Sequence, residues 1–156
     1  MTTSPASPID PLVGRTLSVV VADDDDEMRR ALREVLSAHD GFTVVGDAAD
    51  GHDLEMLAAS TRADLVLLDV RMPAGGADTA RRLSALSPAP VVVAVSASTD
   101  VPTVVALLRA GARGFLAKGQ LGRSFIEDLD RIARGQVLIA IPHAVQVLRE
   151  LTEQPA

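Results

Sequence analysis

Acidic side chains stand at the ends of two short apolar runs. Leu17-Ser18-Val19-Val20-Val21-Ala22 leads into Asp23-Asp24-Asp25-Asp26-Glu27. Ala63-Asp64-Leu65-Val66-Leu67-Leu68 leads into Asp69, followed by Val70-Arg71-Met72-Pro73. Both runs read as buried strands, and Pro73 stops the second soon after its acid. If the two strands are neighbours, their carboxylates converge. Converging carboxylates need a proton, a cation or a cationic side chain, and a hard divalent metal held by oxygens is the simplest answer. Two further strand-like runs end in groups suited to the same pocket: Val91–Val95 leads to Ser96, and Gly114–Ala117 leads to Lys118. There Asp69 can act as a carboxylate nucleophile toward phosphorus and give an acyl phosphate. Mg2+ takes one or two carboxylates plus phosphate oxygens. Lys118 would balance charge on the transferring group from the other side, and Ser96 would donate its hydroxyl to a phosphoryl oxygen.

These four strand ends share one edge only if every strand runs the same way. The chain supplies the alternation that a parallel sheet requires. Met28, Ala31, Leu32, Val35 and Leu36 recur at helical spacing after the first run, with Asp25 or Asp26 as cap. Phe42–Gly46 reads as a second strand and Asp53–Ser60 as its helix. Ala77–Leu86 follows the third strand, with Ala80, Leu83 and Leu86 inward. Val101–Ala110, ended by Gly111, follows the fourth. Arg123–Ala133, ended by Gly135, follows the fifth, with Phe125, Leu129 and Ile132 inward. Five strands alternating with five helices predict an α/β domain with helices on both faces of a parallel sheet, not an eight-unit barrel. Val104, Val105, Leu107 and Leu108 exceed one buried stripe; a broadly buried helix and a homodimer or partner face fit them equally. After Gly135 comes Val137-Leu138-Ile139-Ala140-Ile141-Pro142, then a sixth helix with Ile141, Val145, Leu148 and Leu151 on one face. The expected organisation is a disordered tail over 1–16, rich in Thr, Ser and Pro, a folded domain over 17–135, and a C-terminal extension with a linker helix over 136–156.

Composition narrows the function classes. The 156 residues suit one domain with a full core, 47% of them hydrophobic. A net charge of −6 argues against generic attraction to nucleic acid or anionic membrane. The absence of cysteine removes disulfides, thiol catalysis and cysteine metal sites. No apolar run approaches the length of a membrane span and no signal peptide is visible, so a cytoplasmic location follows. His39, His52 and His143 lack metal-ligand spacing, and no phosphate-cradling glycine motif appears.

Taken together, Val21-Ala22-Asp23-Asp24 with Met28-Arg29-Arg30, Asp69-Val70-Arg71-Met72-Pro73, Val95-Ser96-Ala97 and Gly114-Phe115-Leu116-Ala117-Lys118 resemble the receiver domain of two-component response regulators. The resemblance covers about Leu17 to Arg134. It implies a flavodoxin-like fold with strand order 2-1-3-4-5. It implies that Asp69 is the phosphoacceptor, Asp24 a direct Mg2+ ligand, Asp23 a ligand acting mainly through water, and the Arg71 carbonyl the third protein ligand. Ser96 takes the place of the switch hydroxyl and Phe115 that of the switch aromatic, which turns inward on phosphorylation; Lys118 matches the family's lysine. The implied partner is a sensor histidine kinase or a small phosphodonor, with no turnover of a metabolite beyond self-phosphorylation and autodephosphorylation. Ala133-Arg134-Gly135-Gln136-Val137-Leu138, with a helix ending in Arg149-Glu150-Leu151, resembles the receiver-to-linker region of NarL/LuxR-type regulators. In those proteins a helix-turn-helix domain follows. This chain shows no basic recognition helix, so direct DNA binding is not expected of it. It reads as part of a transcription regulator or as a stand-alone receiver.

Three departures from the family pattern stand out: the extra acids Asp25 and Asp26, the loop Ala74-Gly75-Gly76-Ala77 without an Asp-Gly, and Gly119 after the lysine. Two rival readings follow from the same residues. A phosphohydrolase with an Asp nucleophile carries Asp-x-Asp, but Arg71 holds the second position. A degenerate receiver would act as an interaction module without phosphorylation, against which the full set Asp23, Asp24, Asp69, Ser96 and Lys118 argues. Taken singly, each residue has a plainer role: an acid run is usually a solvated helix N-terminus, and a strand-end Asp is often a turn or cap residue.

Overall fold

The first, third and fourth predicted strands are short, nearly continuous apolar runs, and each is followed by a helical repeat. The computed structural model, which describes residues 14–122 and 124–153, turns that pattern into six β/α units. They are β1 (Leu17–Ala22), α1 (Asp26–Ser37), β2 (Phe42–Ala48), α2 (Gly51–Thr61), β3 (Leu65–Asp69), α3 (Ala77–Ser84), β4 (Val91–Ser96), α4 (Val101–Arg109), β5 (Gly114–Ala117), α5 (Ser124–Ala133), β6 (Leu138–Ala140) and α6 (Ala144–Glu153), with a 3-10 turn at Lys118–Gln120. The strand order is β2-β1-β3-β4-β5-β6, and every pairing is parallel. The flavodoxin-like order expected for the first five strands is therefore present, with a sixth strand added beside β5.

The period of two sorts the core into two layers. Val20, Val66, Leu68, Ala94 and Phe115 join Leu54, Leu83, Val104 and Val147 on the side of α2, α3, α4 and α6. Val19, Val21, Leu65, Leu67, Val95 and Leu116 join Leu32, Leu36, Phe125, Leu129 and Ile132 on the side of α1 and α5. Burial on both faces is why β3 is apolar at every position before its terminal Asp69. That sandwiching fixes the strand ends, and so fixes the edge on which Asp23, Asp69, Ser96 and Lys118 emerge.

Several details differ from the sequence reading. Residues 138–140, which carried no strand assignment, pair with β5 in the register Gly114↔Leu138, Phe115↔Ile139 and Leu116↔Ala140. On α1 only Leu32 and Leu36 are buried, with Met28 packed beside them; Ala31 is exposed and Val35 is 45% exposed. The stripe is narrower than the sequence implied because one helix flank faces solvent. The expected face of α6 is also rotated. Val147 is fully buried and Ala144 and Leu151 pack on the core, whereas Val145 and Leu148 are 66% and 52% exposed. Ile141 is buried but lies before the helix begins, so a helical count started there takes the wrong phase.

Residues 1–13 of the expected tail lie outside the described residues, as does Arg123 at the expected start of α5. Arg15 is anchored, its guanidinium donating to both Asp64 carboxylate oxygens at 3.1 and 2.7 Å. The Thr16 hydroxyl donates to the Asp40 carbonyl at 3.3 Å. Among the described residues no helix is long and apolar enough to cross a membrane.

Candidate functional site

β1 and β3 are direct neighbours, with Ala22 opposite Leu68, so Asp23 and Asp69 leave the sheet side by side. Both carboxyls are almost fully enclosed, at 1% and 2% exposure, whereas Asp24 is exposed. One oxygen from each of the three lies within 4.8 Å of the others. Lys118, delivered by the end of β5, reaches into the gap: its Nζ lies 2.7 Å from Asp23 Oδ2 and 3.4 Å from Asp69 Oδ1.

Backbone geometry aims the acids. Asp23 Oδ1 accepts from the Asp25 N–H at 2.9 Å, and Asp69 Oδ1 accepts from the Arg71 N–H at 3.2 Å. Of the two extra acids, Asp25 is the N-cap of α1, accepting from the Glu27 and Met28 N–H groups. Asp26 occupies the first turn of α1 and pairs with Arg29. Neither belongs to the acid triad, so the longer acid run is divided between site and helix start, as the helix dipole favours.

Burial is the largest influence on Asp69 and raises its carboxyl above the usual range; the neighbouring Asp23 charge adds to this, while the Arg71 N–H and Lys118 oppose it. For Lys118, burial works to lower its affinity for a proton, but hydrogen bonding and charge from Asp23 and Asp69 prevail and raise it. The ammonium stays charged beside the two buried carboxyls.

The donor set fits a hard cation. Mg2+ with ligands at about 2.1 Å spans roughly 4.2 Å between opposite oxygens, and three oxygens within 4.8 Å can converge on it with little movement. Ser96 is fully buried at the end of β4, one residue beyond the Asp69↔Val95 pair; its Oγ accepts from the Ser98 N–H at 3.1 Å. Phe115 lies in mid-β5 and is fully buried. The inward turn expected of it on phosphorylation starts here from a ring that is already enclosed. The geometry therefore brings Asp23, Asp24, Asp69 and Lys118 together, places Ser96 at the adjoining strand end and Arg71 in the loop beyond Asp69, and sets Phe115 away from the pocket in the core.

Four residues support the site: Arg29 and Gly75, which the sequence shows only within a motif and a loop, and Gly51 and Thr79, which carry no sequence signal of their own. Arg29 Nη1 donates to the Asp23 carbonyl at 2.7 Å and its Nε lies 3.8 Å from Asp47, so α1 clasps the end of β1. A Cβ on Gly75 would lie 2.3 Å from the Asp69 carbonyl oxygen, and one on Gly51 only 1.7 Å from that of Ala74. The Thr79 hydroxyl donates to the same Ala74 carbonyl at 2.5 Å. Ala74 itself is left-handed, with φ of 57°. The loop that lacks an Asp-Gly thus makes its turn with Ala74 and is locked by Gly51, Gly75 and Thr79. The Gly75-Gly76 doublet after a strand-end Asp was the one available signal.

A family model for the response regulator receiver domain matches residues 19–129. The chain belongs to that family. This receiver is 33% identical over 135 residues to the uncharacterized transcriptional regulatory protein YxjL of Bacillus subtilis, covering 86% of this chain and 62% of the relative. It is 34% identical over 140 residues to the response regulator GacA of Pseudomonas aeruginosa, covering 89% and 65%. The chain thus spans slightly under two thirds of the length of these curated relatives. A signal receiver domain of a NarL response regulator from Mycobacterium tuberculosis superposes with a TM-score of 0.74 at 31% identity, covering 78% of this chain and 99% of the other. A LuxR-family two-component regulator from Aurantimonas shares the fold, with a TM-score of 0.79 at 22% identity over 88% of this chain and 99% of the other. The NarL/LuxR type read from the segment after Gly135 is the type these comparisons return.

Proposed function

We propose that this receiver is a phosphorylation switch in which Asp69 accepts a phosphoryl group from a sensor histidine kinase or a small phosphodonor, in the cytoplasm. The observation that carries the reading is the enclosed Asp69 carboxyl with Asp23 beside it and the Lys118 ammonium within 3.4 Å. An Asp69 oxygen bonds to phosphorus as the bond from phosphorus to the donor's leaving atom breaks. The leaving group departs with the electron pair, as acetate from acetyl phosphate or as imidazole from phosphohistidine. Asp23, Asp24 and Asp69, with the Arg71 carbonyl, would hold Mg2+, which supplies charge neutralisation at the phosphoryl oxygens. Lys118 leans toward Asp23 in the unmodified chain and shifts its ammonium to the phosphoryl group, the stronger anion. The Ser96 hydroxyl, which already accepts from Ser98, donates to a phosphoryl oxygen.

By analogy with its longer relatives, whose names include a transcriptional regulatory protein, the switch controls transcription through an output segment. The domain reading is a receiver over 17–135 followed by a linker extension over 136–156. Incubation with Mg2+ and acetyl phosphate followed by intact mass tests the central step. The expected result is one added phosphoryl group that requires Mg2+ and is absent in Asp69→Asn. No gain from acetyl phosphate or a histidine kinase donor would leave an interaction module instead.

A further inference from the structure

Of the three acids in the pocket, Asp24 is the one least held. Asp23 and Asp69 are enclosed, each accepts from a backbone N–H, and both lie beside Lys118. Asp24 is exposed, and among the described residues no side chain or N–H bonds to its carboxylate. A freely rotating carboxylate loses rotamer entropy when it takes a metal, so it holds one weakly. The aim of Asp24 therefore depends on the backbone from which it leaves.

Arg29 fixes that backbone. The peptide from Asp23 to Asp24 is planar, so the Asp23 carbonyl and the Asp24 N–H and Cα move as one body. Arg29 Nη1 donates to this carbonyl at 2.7 Å. The Asp23 N–H donates to the Ala48 carbonyl at 3.0 Å, so Asp23 is tied to β2 on one side and to α1 on the other. The guanidinium is held in its turn. Its Nη2 donates to Asp26 Oδ1, and its Nε lies 3.8 Å from Asp47 Oδ1. Asp47 stands on β2 opposite Val21 and accepts from Arg33 Nη1 at 2.7 Å. A planar fork can face a carbonyl and two acids at once, whereas an ammonium on a flexible stem is a single point charge. Asp26, one of the acids that departs from the family pattern, thus serves the fork and not the metal. Together Asp26 and Asp47 offset the Arg29 charge, which lets a cation stand close to a metal site.

We infer that Arg29 is a positioning residue for the metal: by fixing the peptide between Asp23 and Asp24 it aims the Asp24 carboxylate toward its two partners, and so sets Mg2+ affinity without touching the ion. The inference rests on the phosphorylation reading above and names the residue that organises its metal site. Charge and position make opposite demands here. A guanidinium near a Mg2+ site repels the ion, so on charge alone the loss of Arg29 tightens binding. Loss of the brace weakens it.

A proton–nitrogen NMR titration of the full chain with Mg2+ alone separates the two, and the same spectra report whether each variant is folded. Arg29→Gln and Arg29→Lys should each bind Mg2+ about tenfold more weakly, the lower end for loss of a group that orients a metal ligand. Arg33→Gln removes the same charge from the same Asp47 but leaves the Asp23 carbonyl alone; it should bind Mg2+ as tightly as the parent or more so. In phosphorylation by acetyl phosphate, the Arg29 variants should need more Mg2+ by the same factor for half the maximal rate. At saturating Mg2+ they should approach the parent's rate, because Asp69 and Lys118 are untouched. Tighter or unchanged binding by Arg29→Gln overturns the inference. So does unchanged binding by Arg29→Lys, which decides alone should Arg29→Gln fail to fold. Equal weakening in Arg33→Gln overturns it too, since loss of the ion-pair network would then suffice. The expected Mg2+ pattern in a chain that gains no phosphoryl group leaves Arg29 its role and removes the phosphorylation reading. No Mg2+ binding by the parent overturns both.

Discussion

The acid pocket and the flank formed by β6 and α6 lie a few residues apart along β4 and β5 yet are held in opposite ways. The pocket is fixed by charge and by backbone with no room to spare: Lys118 bridges Asp23 and Asp69, Arg29 clasps the Asp23 carbonyl, and Gly75 sits where any side chain would strike the Asp69 carbonyl. The flank is fixed by apolar contact along one face of α6 and by a strand of three residues. A region of the first kind holds reacting groups in place but tolerates little change. A region of the second kind is held mainly by packing: Ile141 and Val147 are buried in the same core layer as Val104 and Phe115.

Substitutions should separate the two regions. The largest effect belongs to Lys118→Ala, which removes the cation that faces the developing charge. Phosphorylation by acetyl phosphate should slow by about 10²-fold, the usual scale for one lost electrostatic donor, with hydrogen exchange over 138–153 in the unmodified protein unchanged. Time-resolved intact mass reads the rate. Gly51→Ala would thrust a methyl group against the Ala74 carbonyl and should cost about 3 kcal/mol in urea unfolding, with the damage centred on the loop beyond Asp69. Asp100→Ala removes the α4 cap and should cost about 1 kcal/mol. Its exchange signature should appear in α4 and 138–153 and spare the pocket; a uniform loss across the sheet would contradict the division between the regions.

A smaller effect concerns acidity. The folded Asp69 carboxyl holds its proton more tightly than an unfolded one does, chiefly because it is buried. Its ionised form therefore costs stability at neutral pH. That cost is relieved as the pH falls through the raised value toward the ordinary carboxylate range. Asp69→Asn should accordingly melt at a higher temperature than the parent chain in chelator-treated buffer at pH 7, and the advantage should shrink as the pH is lowered. Equal melting temperatures across that range would mean that Lys118 fully compensates the burial.

The sequence carried the pocket more clearly than the flank, for physical reasons. Asp23, Asp69, Ser96 and Lys118 each terminate a strand whose apolar run is unbroken, and a parallel sheet leaves strand ends nowhere to go but one edge. β3 and β4, buried on both faces, could hardly be read otherwise. The supporting residues were hidden because their roles depend on partners far along the chain: Gly51 matters only against Ala74, and Thr79 only through the same carbonyl. β6 has three residues, too few to show a period. The α6 stripe was misphased because Ile141, though buried, belongs to the turn before the helix, and the true stripe of Ala144, Val147 and Leu151 starts three residues later. The apolar excess on α4 was visible, but what covers it, α6, is a tertiary fact.

The most direct test of the account is the location of the phosphoryl group. After incubation with Mg2+ and acetyl phosphate, borohydride reduction converts an aspartyl phosphate to homoserine, and peptide sequencing by mass spectrometry reads where. Conversion at position 69 alone, lost when Mg2+ is withheld, is the predicted result. Conversion at Asp23 or Asp24, or at none of the three while the donor is consumed, would contradict it.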